Sequence, residues 1–292
     1  MAKLWKGIFY CFWMSDKPLV QQALATDLAN ILLSIPNLDA ALGFLKGFWV
    51  ALVREWAGID RLRLDKYHML IRRYMNASFR LLIRNGWDPE ACEKHNQILG
   101  GEGGPLSPID NKAPSGLQYH VADIYLPELE KALASFPDSN SPVPISIILQ
   151  PFIQLATLTP SNITFKRIQT SVFDSLLSSL SDASSAPPIP PPSSEPSRKR
   201  QKTASTKGSS SAGSTISPDA ALPDIPLAHI VTRSSISTSS EEAKKTGSIA
   251  TPKEVASAVI STLFREASQE GTRDANRRRL YAICKAARDE DD

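Results

Sequence analysis

The 292-residue sequence has few cysteines, a small net charge and no long apolar run, and each shortage excludes a class of protein. Its three cysteines, Cys11, Cys92 and Cys284, lie far apart within apolar helical patterns. This spacing predicts reduced, buried thiols in a nuclear or cytosolic protein rather than a disulfide framework. No uninterrupted apolar run reaches the roughly 18 residues of a spanning helix, so we expect no membrane partner. The formal net charge of +3 is too small to argue for a polyanionic partner, which must be argued from local clusters.

Aromatic residues are missing from the stretch 181–250, which instead holds 18 Ser and 9 Pro. Such a segment cannot bury enough apolar surface to offset the conformational entropy lost on ordering. The sequence therefore predicts a helical scaffold domain over residues 1–180 and a disordered Ser/Pro-rich linker over 181–250. A short helical tail with a basic final helix is predicted over 251–292.

The first 180 residues carry apolar side chains at helical spacing almost throughout, which predicts an all-α fold. Consecutive antiparallel helices with short connections favour an α-solenoid of the HEAT-like kind or an irregular helical bundle. Capping residues predict a second helix that starts after Ser15-Asp16 and a fourth that starts at Asp65. The other helices are predicted at about 3–14, 38–57, 89–100, 117–133 with a break or kink at Pro127, 145–158 and 164–180.

The fourth predicted helix carries positive charge on one face. When its residues are projected at 100° each, the apolar side chains converge on one side, and Lys66, Arg73, Arg80 and Arg84 cluster opposite them. At 1.5 Å per residue these four side chains form a stripe of about 27 Å, long enough to follow several phosphates. The stripe predicts contact with RNA or with an acidic protein, and the alternative is an ordinary solvated helix face.

The last predicted helix has a second basic group. Its members are Arg273, Arg277, Arg278, Arg279, Lys285 and Arg288, of which Arg277, Arg278, Arg279 and Lys285 are the candidate binding residues. We hypothesise that they also bind RNA or a protein partner, although part of the group is expected to be ordinary surface.

A third basic cluster follows a proline run in the predicted linker and consists of Arg198, Lys199, Arg200 and Lys202. An exposed short basic peptide is what a nuclear import receptor recognises, so the cluster predicts a nuclear-localisation signal. Nonspecific polyanion binding is the alternative. Ser217 and Thr251 each precede a proline, and we hypothesise that proline-directed kinases phosphorylate them.

Candidate catalytic and metal sites fail on inspection. Cys92-x-x-His95 is half of a zinc pattern and has no second half at suitable spacing. His68 lies beside core residues, and His120 with Asp123 offers a hydrogen bond but no nucleophile. The GGEGG run lacks the Lys-Ser/Thr of a phosphate-binding loop. We therefore expect no enzymatic activity, cofactor, bound metal or small-molecule substrate.

Four segments of the chain carry a family resemblance: LWKGIFYCFWMSDKPLVQQALATDLANIL, GFWVALVREWAGIDRLRLDKYHMLIRRY, PSGLQYHVADIYLPEL and LFREASQEGTRDANRRRLYAICK. Together they resemble the ribosomal RNA-processing protein 1 family, also called nucleolar protein 52. The resemblance covers about residues 3–180 and 253–288. Members of this family usually have one or two helices before the LWKG segment, so we expect the apolar side of the first helix to be exposed here.

The resemblance implies a non-enzymatic nucleolar assembly factor of the 60S ribosomal subunit, required for precursor rRNA processing as a protein- and RNA-binding scaffold in pre-60S particles. It implies localisation in the nucleus and nucleolus. The partners it implies are precursor rRNA and other pre-60S assembly factors, including Brix-domain proteins, and the basic cluster in the linker adds a nuclear import receptor. The competing interpretation is a general helical-repeat adaptor of the nucleus, unrelated to ribosomes.

Overall fold

The computed structural model describes residues 1–109, 113–139, 141–185, 226–236 and 248–289. The regular structure in these ranges is helical, without a strand, apart from an isolated parallel bridge between Val143 and Ser234. The predicted all-α class is therefore confirmed. None of the helices in the same ranges combines the length and the apolar character that a bilayer span needs.

The helices of the described chain are α1 (Ala2–Trp13), α2 (Pro18–Ser34), α3 (Leu38–Glu55), α4 (Arg61–Arg84), α5 (Pro89–Gly100), α6 (Ser115–Ala134), α7 (Ile145–Ile148), α8 (Gln150–Leu158), α9 (Asn162–Ile168), α10 (Ser175–Ser185), α11 (Ala228–Arg233), α12 (Pro252–Ser268) and α13 (Asp274–Asp289). A 3-10 turn, Trp56–Gly58, extends α3. A π-helical turn, Gln169–Asp174, joins α9 to α10.

The first helices form two layers, because each packs mainly on a helix of its own layer rather than on its neighbour in the chain. One layer holds α1, α3, α5 and α8, and the other holds α2, α4, α6 and α9. This alternation is the arrangement of an α-solenoid, in which each hairpin buries a face that it cannot bury alone. Within the second layer, α4 lies between α2 and α6.

Side-chain caps explain where α4 and α5 begin. The Asp60 carboxylate accepts hydrogen bonds from the backbone N–H groups of Leu62 and Arg63, both at 3.0 Å, so α4 starts at Arg61 and the predicted start at Asp65 is wrong. Asp88 caps α5 as predicted, with Pro89 in the first turn. The predicted capping of α2 by Ser15-Asp16 is wrong. Lys17 is the residue that precedes α2, and its side chain makes no capping hydrogen bond.

The aromatic residues of the N-terminal helices form the core between the layers. Trp5 of α1 packs on Phe48 of α3 and on Tyr74 of α4, and the rings of Phe48 and Tyr74 stack with their centroids 3.9 Å apart. Such pairs join large apolar area to a specific ring geometry. The aromatic side of α1, with Trp5, Phe9 and Phe12, is buried, so the expected exposure of its apolar side is wrong there, and the exposed large apolar side chains of α1 are Leu4 and Tyr10 on the other side.

The middle of the chain departs from the prediction at two prolines. Helix α6 continues through Pro127, so of the two predicted alternatives the break is wrong and the kink stays a prediction. The single helix predicted over 145–158 is instead two, because α7 ends at Ile148 and α8 begins with Pro151 in its first turn.

The tail packs on the solenoid of its own chain. Helix α12 contacts α7, α8 and α10, while α13 contacts α8 and α12. The buried Asn276 side chain of α13 donates hydrogen bonds to the carbonyl oxygens of Thr157 and Thr159, at 3.3 and 2.8 Å. Apolar packing and buried polar pairing therefore both connect the tail to the C-terminal end of α8.

The segment 226–236 also packs on the solenoid, which corrects the predicted extent of the disordered linker. Its helix α11 lies against α6, where Glu130 accepts hydrogen bonds from the backbone N–H groups of His229 and Ile230 at 2.7 and 2.9 Å. Ile230 and Val231 are fully buried. Arg233 donates to carbonyl oxygens just beyond the end of α6. The average composition of residues 181–250 does not reveal this short apolar segment.

Candidate functional site

The histidines and cysteines singled out from the sequence are packing groups. Cys92 and His95 are both fully buried, and burial raises the pKa of the Cys92 thiol to about 12 and lowers the pKa of His95 to about 4. His95 Nε2 lies 3.2 Å from the Ser78 hydroxyl, but both side chains are closed off from solvent and cannot reach a substrate. Within the described ranges, no three His, Cys, Asp or Glu side chains stand close enough to hold a metal ion. Cys284 is buried as predicted, whereas the prediction of a buried thiol at Cys11 is wrong.

His68 and His120 stack on each other between α4 and α6, with ring centroids 4.0 Å apart. Burial lowers the pKa of both rings, that of His120 to about 4, and so favours their neutral forms. Asp123 does not pair with His120, because its carboxylate accepts hydrogen bonds from Ser171 at 2.7 Å and Arg167 at 3.4 Å. The two histidines therefore pack α4 against α6 and do not have the arrangement of catalytic residues.

Lys66 is not part of an exposed stripe. Its side chain is buried, and its ammonium donates hydrogen bonds to the carbonyl oxygens of Trp13 at 2.7 Å and Ser15 at 2.8 Å. It also lies over the Phe12 ring, 5.6 Å from the centroid. Lys66 thus binds the carbonyl groups at the end of α1, and the part of the prediction that placed it on a solvent-facing surface is wrong.

The other three cations of the predicted stripe follow α2, which runs beside α4 in the same direction. Arg73 donates a hydrogen bond to the Thr26 hydroxyl in the middle of α2. Arg84 donates to the Leu33 carbonyl oxygen near the end of α2, at 2.7 Å. Two members of the stripe, Arg73 and Arg80, line an open groove, whereas Arg84 is exposed outside it.

This groove has α4 as its floor and α2 and α6 as its walls, with a volume of about 380 Å³. We call it the α4 groove. Its basic lining residues are Arg72, Arg73, Arg80 and Lys131, and its acidic one is Glu128. The remaining lining residues are Thr26, Ala29, Asn30, Met69, Asn76 and Ala77.

Sequence reasoning missed Arg72 and Lys131. Glu128 brings them to the α4 groove, because its carboxylate accepts from Arg72 at 3.2 Å and from Lys131 at 2.9 Å. The Glu128 side chain is only 6% exposed, while those of Arg72 and Lys131 are 44% and 61% exposed. The spacing of Glu128 and Lys131 on α6 was the available signal, but it does not reveal that α4 is the neighbour.

Arg80 differs from the other cations of the α4 groove. Its Nε atom is buried and has no hydrogen-bond partner, and no ion pair or hydrogen bond to the rest of its guanidinium occurs among the described residues. The Nε atom of Arg73 is likewise buried and unpartnered. Arg63 Nε and the indole N–H groups of Trp5, Trp49 and Trp87 are also buried without a partner, so what distinguishes Arg80 is that its terminal N–H groups are unpaired as well among the described residues.

The basic group of the last helix is divided between structure and surface. Arg277 binds the end of α12, donating to the carbonyl oxygens of Ala267 and Gln269, both at 3.0 Å. Arg279 is half-buried, with its guanidinium over the Phe165 ring at 5.4 Å from the centroid. Arg278 and Lys285 are exposed, and their seven-residue spacing puts them on one face of α13.

Of the predicted phosphorylation and nuclear-localisation residues, only Thr251 lies within the described part of the chain. Thr251 is the N-cap of α12 and forms a capping box with Glu254, whose pKa is lowered by hydrogen bonds from Thr251. The other predicted sites, Arg198, Lys199, Arg200, Lys202 and Ser217, lie outside the described residues.

A family model described as nucleolar protein, Nop52, matches residues 1–283, which include the α4 groove and nearly all of the tail. The chain belongs to the Nop52 family. This membership confirms the resemblance found in the sequence and places the chain among nucleolar proteins.

Relatives of this Nop52-family chain include ribosomal RNA processing protein 1 homologs. Homolog A of Mus musculus is 37% identical over 177 residues, which are 61% of this chain and 35% of that protein. Homolog B of Homo sapiens is 37% identical over 179 residues, 61% of this chain and 23% of that protein. The homolog of Dictyostelium discoideum is 31% identical over 196 residues, 62% of this chain and 39% of that protein. The matched region thus spans well under half the length of each of these relatives.

Proposed function

We propose that the chain is a non-enzymatic nucleolar factor that acts in precursor rRNA processing during assembly of the 60S ribosomal subunit. The names of its relatives, ribosomal RNA processing proteins, and its membership in the Nop52 family support this role. The one Ser-His contact described above is sealed inside the core, which argues against hydrolysis at that point. The chain would therefore act by binding rather than by chemistry.

The α4 groove on a two-layer solenoid is the observation that best supports a scaffold role. Solenoids present extended surfaces on which several partners can be held together. Here one such surface combines excess positive charge with an unpartnered arginine. The partners proposed are precursor rRNA and other assembly factors of pre-60S particles, including Brix-domain proteins. Arg278 and Lys285 on α13 are proposed as a second contact with one of these partners.

Nuclear entry is proposed to depend on the basic cluster of the linker, Arg198, Lys199, Arg200 and Lys202. A fluorescent reporter fused to residues 190–210 should enter the nucleus. The same reporter with the four basic residues replaced by alanine should remain cytoplasmic. Retention of the unmodified fusion in the cytoplasm would count against an import receptor as partner.

Depletion of the protein from its native cells tests the function. Northern blots should show accumulation of large-subunit rRNA precursors, with small-subunit precursors little changed, and the full chain should reverse the effect. The protein should also sediment with 60S precursors in a sucrose gradient. An unchanged precursor pattern would contradict the proposal, and nuclear localisation without co-sedimentation would favour the helical-repeat adaptor.

A further inference from the structure

The α4 groove has the charge of an anion-binding site. Four cations and one carboxylate line it, so its formal charge is 4 − 1 = +3, equal to the formal charge of the entire chain. Walls of low dielectric strengthen the field inside such a cleft and raise the local concentration of anions. The groove therefore has, in one place, as much excess positive charge as the whole chain has in total.

Glu128 fixes part of this arrangement before any ligand arrives. Its nearly buried carboxylate holds Arg72 and Lys131 on the wall that α6 contributes. A site whose side chains are already held loses less conformational entropy when a ligand binds. Glu128 is therefore a positioning residue, although it is also the acidic member of the lining.

Arg80 supplies unpaired cationic donors to the site. Its Nε is buried, but the terminal N–H groups of its guanidinium make no ion pair or hydrogen bond among the described residues, so they are available to an anion in the groove. The planar guanidinium matches the oxygens of a phosphate or a carboxylate, and a cationic donor makes a stronger hydrogen bond than a neutral one. Arg73 adds a second guanidinium on the same floor, two turns earlier in α4, although one of its terminal nitrogens donates to Thr26.

The neutral lining of the groove leaves one amide side chain for a ligand. Thr26 and Asn76 already form hydrogen bonds within the protein, whereas Asn30 makes none among the described residues and can pair with a hydroxyl group or base edge beside a phosphate. We propose that the α4 groove binds the phosphodiester backbone of single-stranded RNA, with Arg80 as its central phosphate contact. This inference rests on the proposed function, which supplies rRNA as the polyanion at hand.

Binding of a fluorescein-labelled single-stranded RNA oligonucleotide to the full chain, followed by anisotropy, tests the proposal. Arg80→Ala should weaken binding about tenfold, the loss expected when one charge-assisted hydrogen bond is removed. It should also lower the slope of log affinity against log salt by about 0.7 between about 50 mM and about 200 mM salt. Arg80→Lys, which keeps the charge but not the fork, should recover part of the affinity.

A matched pair of charge additions on α2 locates the site. Asn30→Glu places a carboxylate on the rim of the groove and should abolish most of the binding. Gln22→Glu makes the same change at an exposed position of α2 outside the groove and should leave the affinity within about twofold. Equal effects of the two variants, or full affinity of Arg80→Ala at low salt, would overturn the proposal.

An acidic polypeptide distinguishes the competing class of partner. If poly-glutamate binds the full chain, and Arg80→Ala weakens that binding without changing RNA affinity, the groove is a protein site and the RNA proposal is wrong. Failure of the proposed function has a different signature. Precursor rRNA would then be processed normally in depleted cells even though Arg80→Ala weakens RNA binding in vitro.

Discussion

The N-terminal and C-terminal parts of α4 carry basic side chains on the same face, but the surroundings of these side chains differ. In the N-terminal part, Lys66 is buried and donates to two carbonyl groups, one at the end of α1 and one just beyond it. In the C-terminal part, Arg80 lines an open groove, and its guanidinium has no partner among the described residues. The difference arises from what lies over each position, since the α1–α2 connection covers Lys66 and only the groove lies over Arg80.

This difference teaches that a cationic stripe can combine structural and binding residues at regular spacing. Charge at the covered position should contribute to folding and not to RNA affinity. Charge at the open position should contribute to RNA affinity and not to folding. The variants below test this division, from the largest expected change in the free energy of unfolding to the smallest.

Lys66→Ala should lower the free energy of unfolding by about 4 kcal/mol, because it removes two charge-assisted hydrogen bonds and leaves a cavity beside Phe12. Urea unfolding followed by tryptophan fluorescence measures the loss. Lys66→Met, which keeps the aliphatic stem, should recover the packing part alone. The division of roles would be wrong if the folded Lys66→Met protein bound RNA less tightly than the unaltered protein.

His95 packs on α4 from α5, and burial lowers its pKa from 6.5 to about 4. Between these values the unfolded chain binds a proton that the folded chain does not, so stability is present above pH 6.5 and falls as the pH drops toward 4. His95 should contribute about 3 kcal/mol of this loss. His95→Gln should flatten the dependence of stability on pH over that range. A slope equal to that of the unaltered protein would show that His95 is not buried in a neutral form.

Arg73 belongs to both categories, since it faces the α4 groove and also binds the Thr26 hydroxyl. Arg73→Ala should lower the free energy of unfolding by about 1 kcal/mol and should also weaken RNA binding. Thr26→Val removes the same hydrogen bond and leaves the charge in place, so it should reproduce the loss of stability but keep most of the affinity. Equal losses of affinity in the two variants would show that Arg73 positions α2 rather than contacts RNA.

Arg80→Ala should change the free energy of unfolding by no more than about 0.5 kcal/mol, because the side chain has no partner whose loss would destabilise the fold. Urea midpoints of the variant and the unaltered protein should coincide, while RNA affinities differ. A large loss of stability would mean that Arg80 serves the fold, as Lys66 does.

Helical periodicity was sufficient to predict the class of the fold and most of its helices, because the apolar faces of α1 to α6 follow a regular spacing. Helix boundaries that depend on one capping residue were predicted less accurately. Helix α4 is capped by Asp60 and starts at Arg61, whereas the predicted start was Asp65. Helix projection correctly found the face of Arg73 and Arg80. It could not find Arg72 and Lys131 as members of the same groove, because their position depends on the contact of Glu128 with a helix more than fifty residues away.

The exposure of Lys66 was mispredicted for the same reason. A single helix shows which side chains share a face, but only tertiary contacts show what covers that face. Segment 226–236 gives a second example. Its buried Ile230 and Val231 are too few to change the composition of a 70-residue window, yet Glu130 and Arg233 fix the segment at the end of α6.

The docking of both 226–236 and the tail on the solenoid has a consequence for the covalent chain. Residues on either side of 186–225 are held on one body by contacts that do not involve that stretch. A protease that cleaves there should therefore yield two fragments that remain associated and elute together from a sizing column.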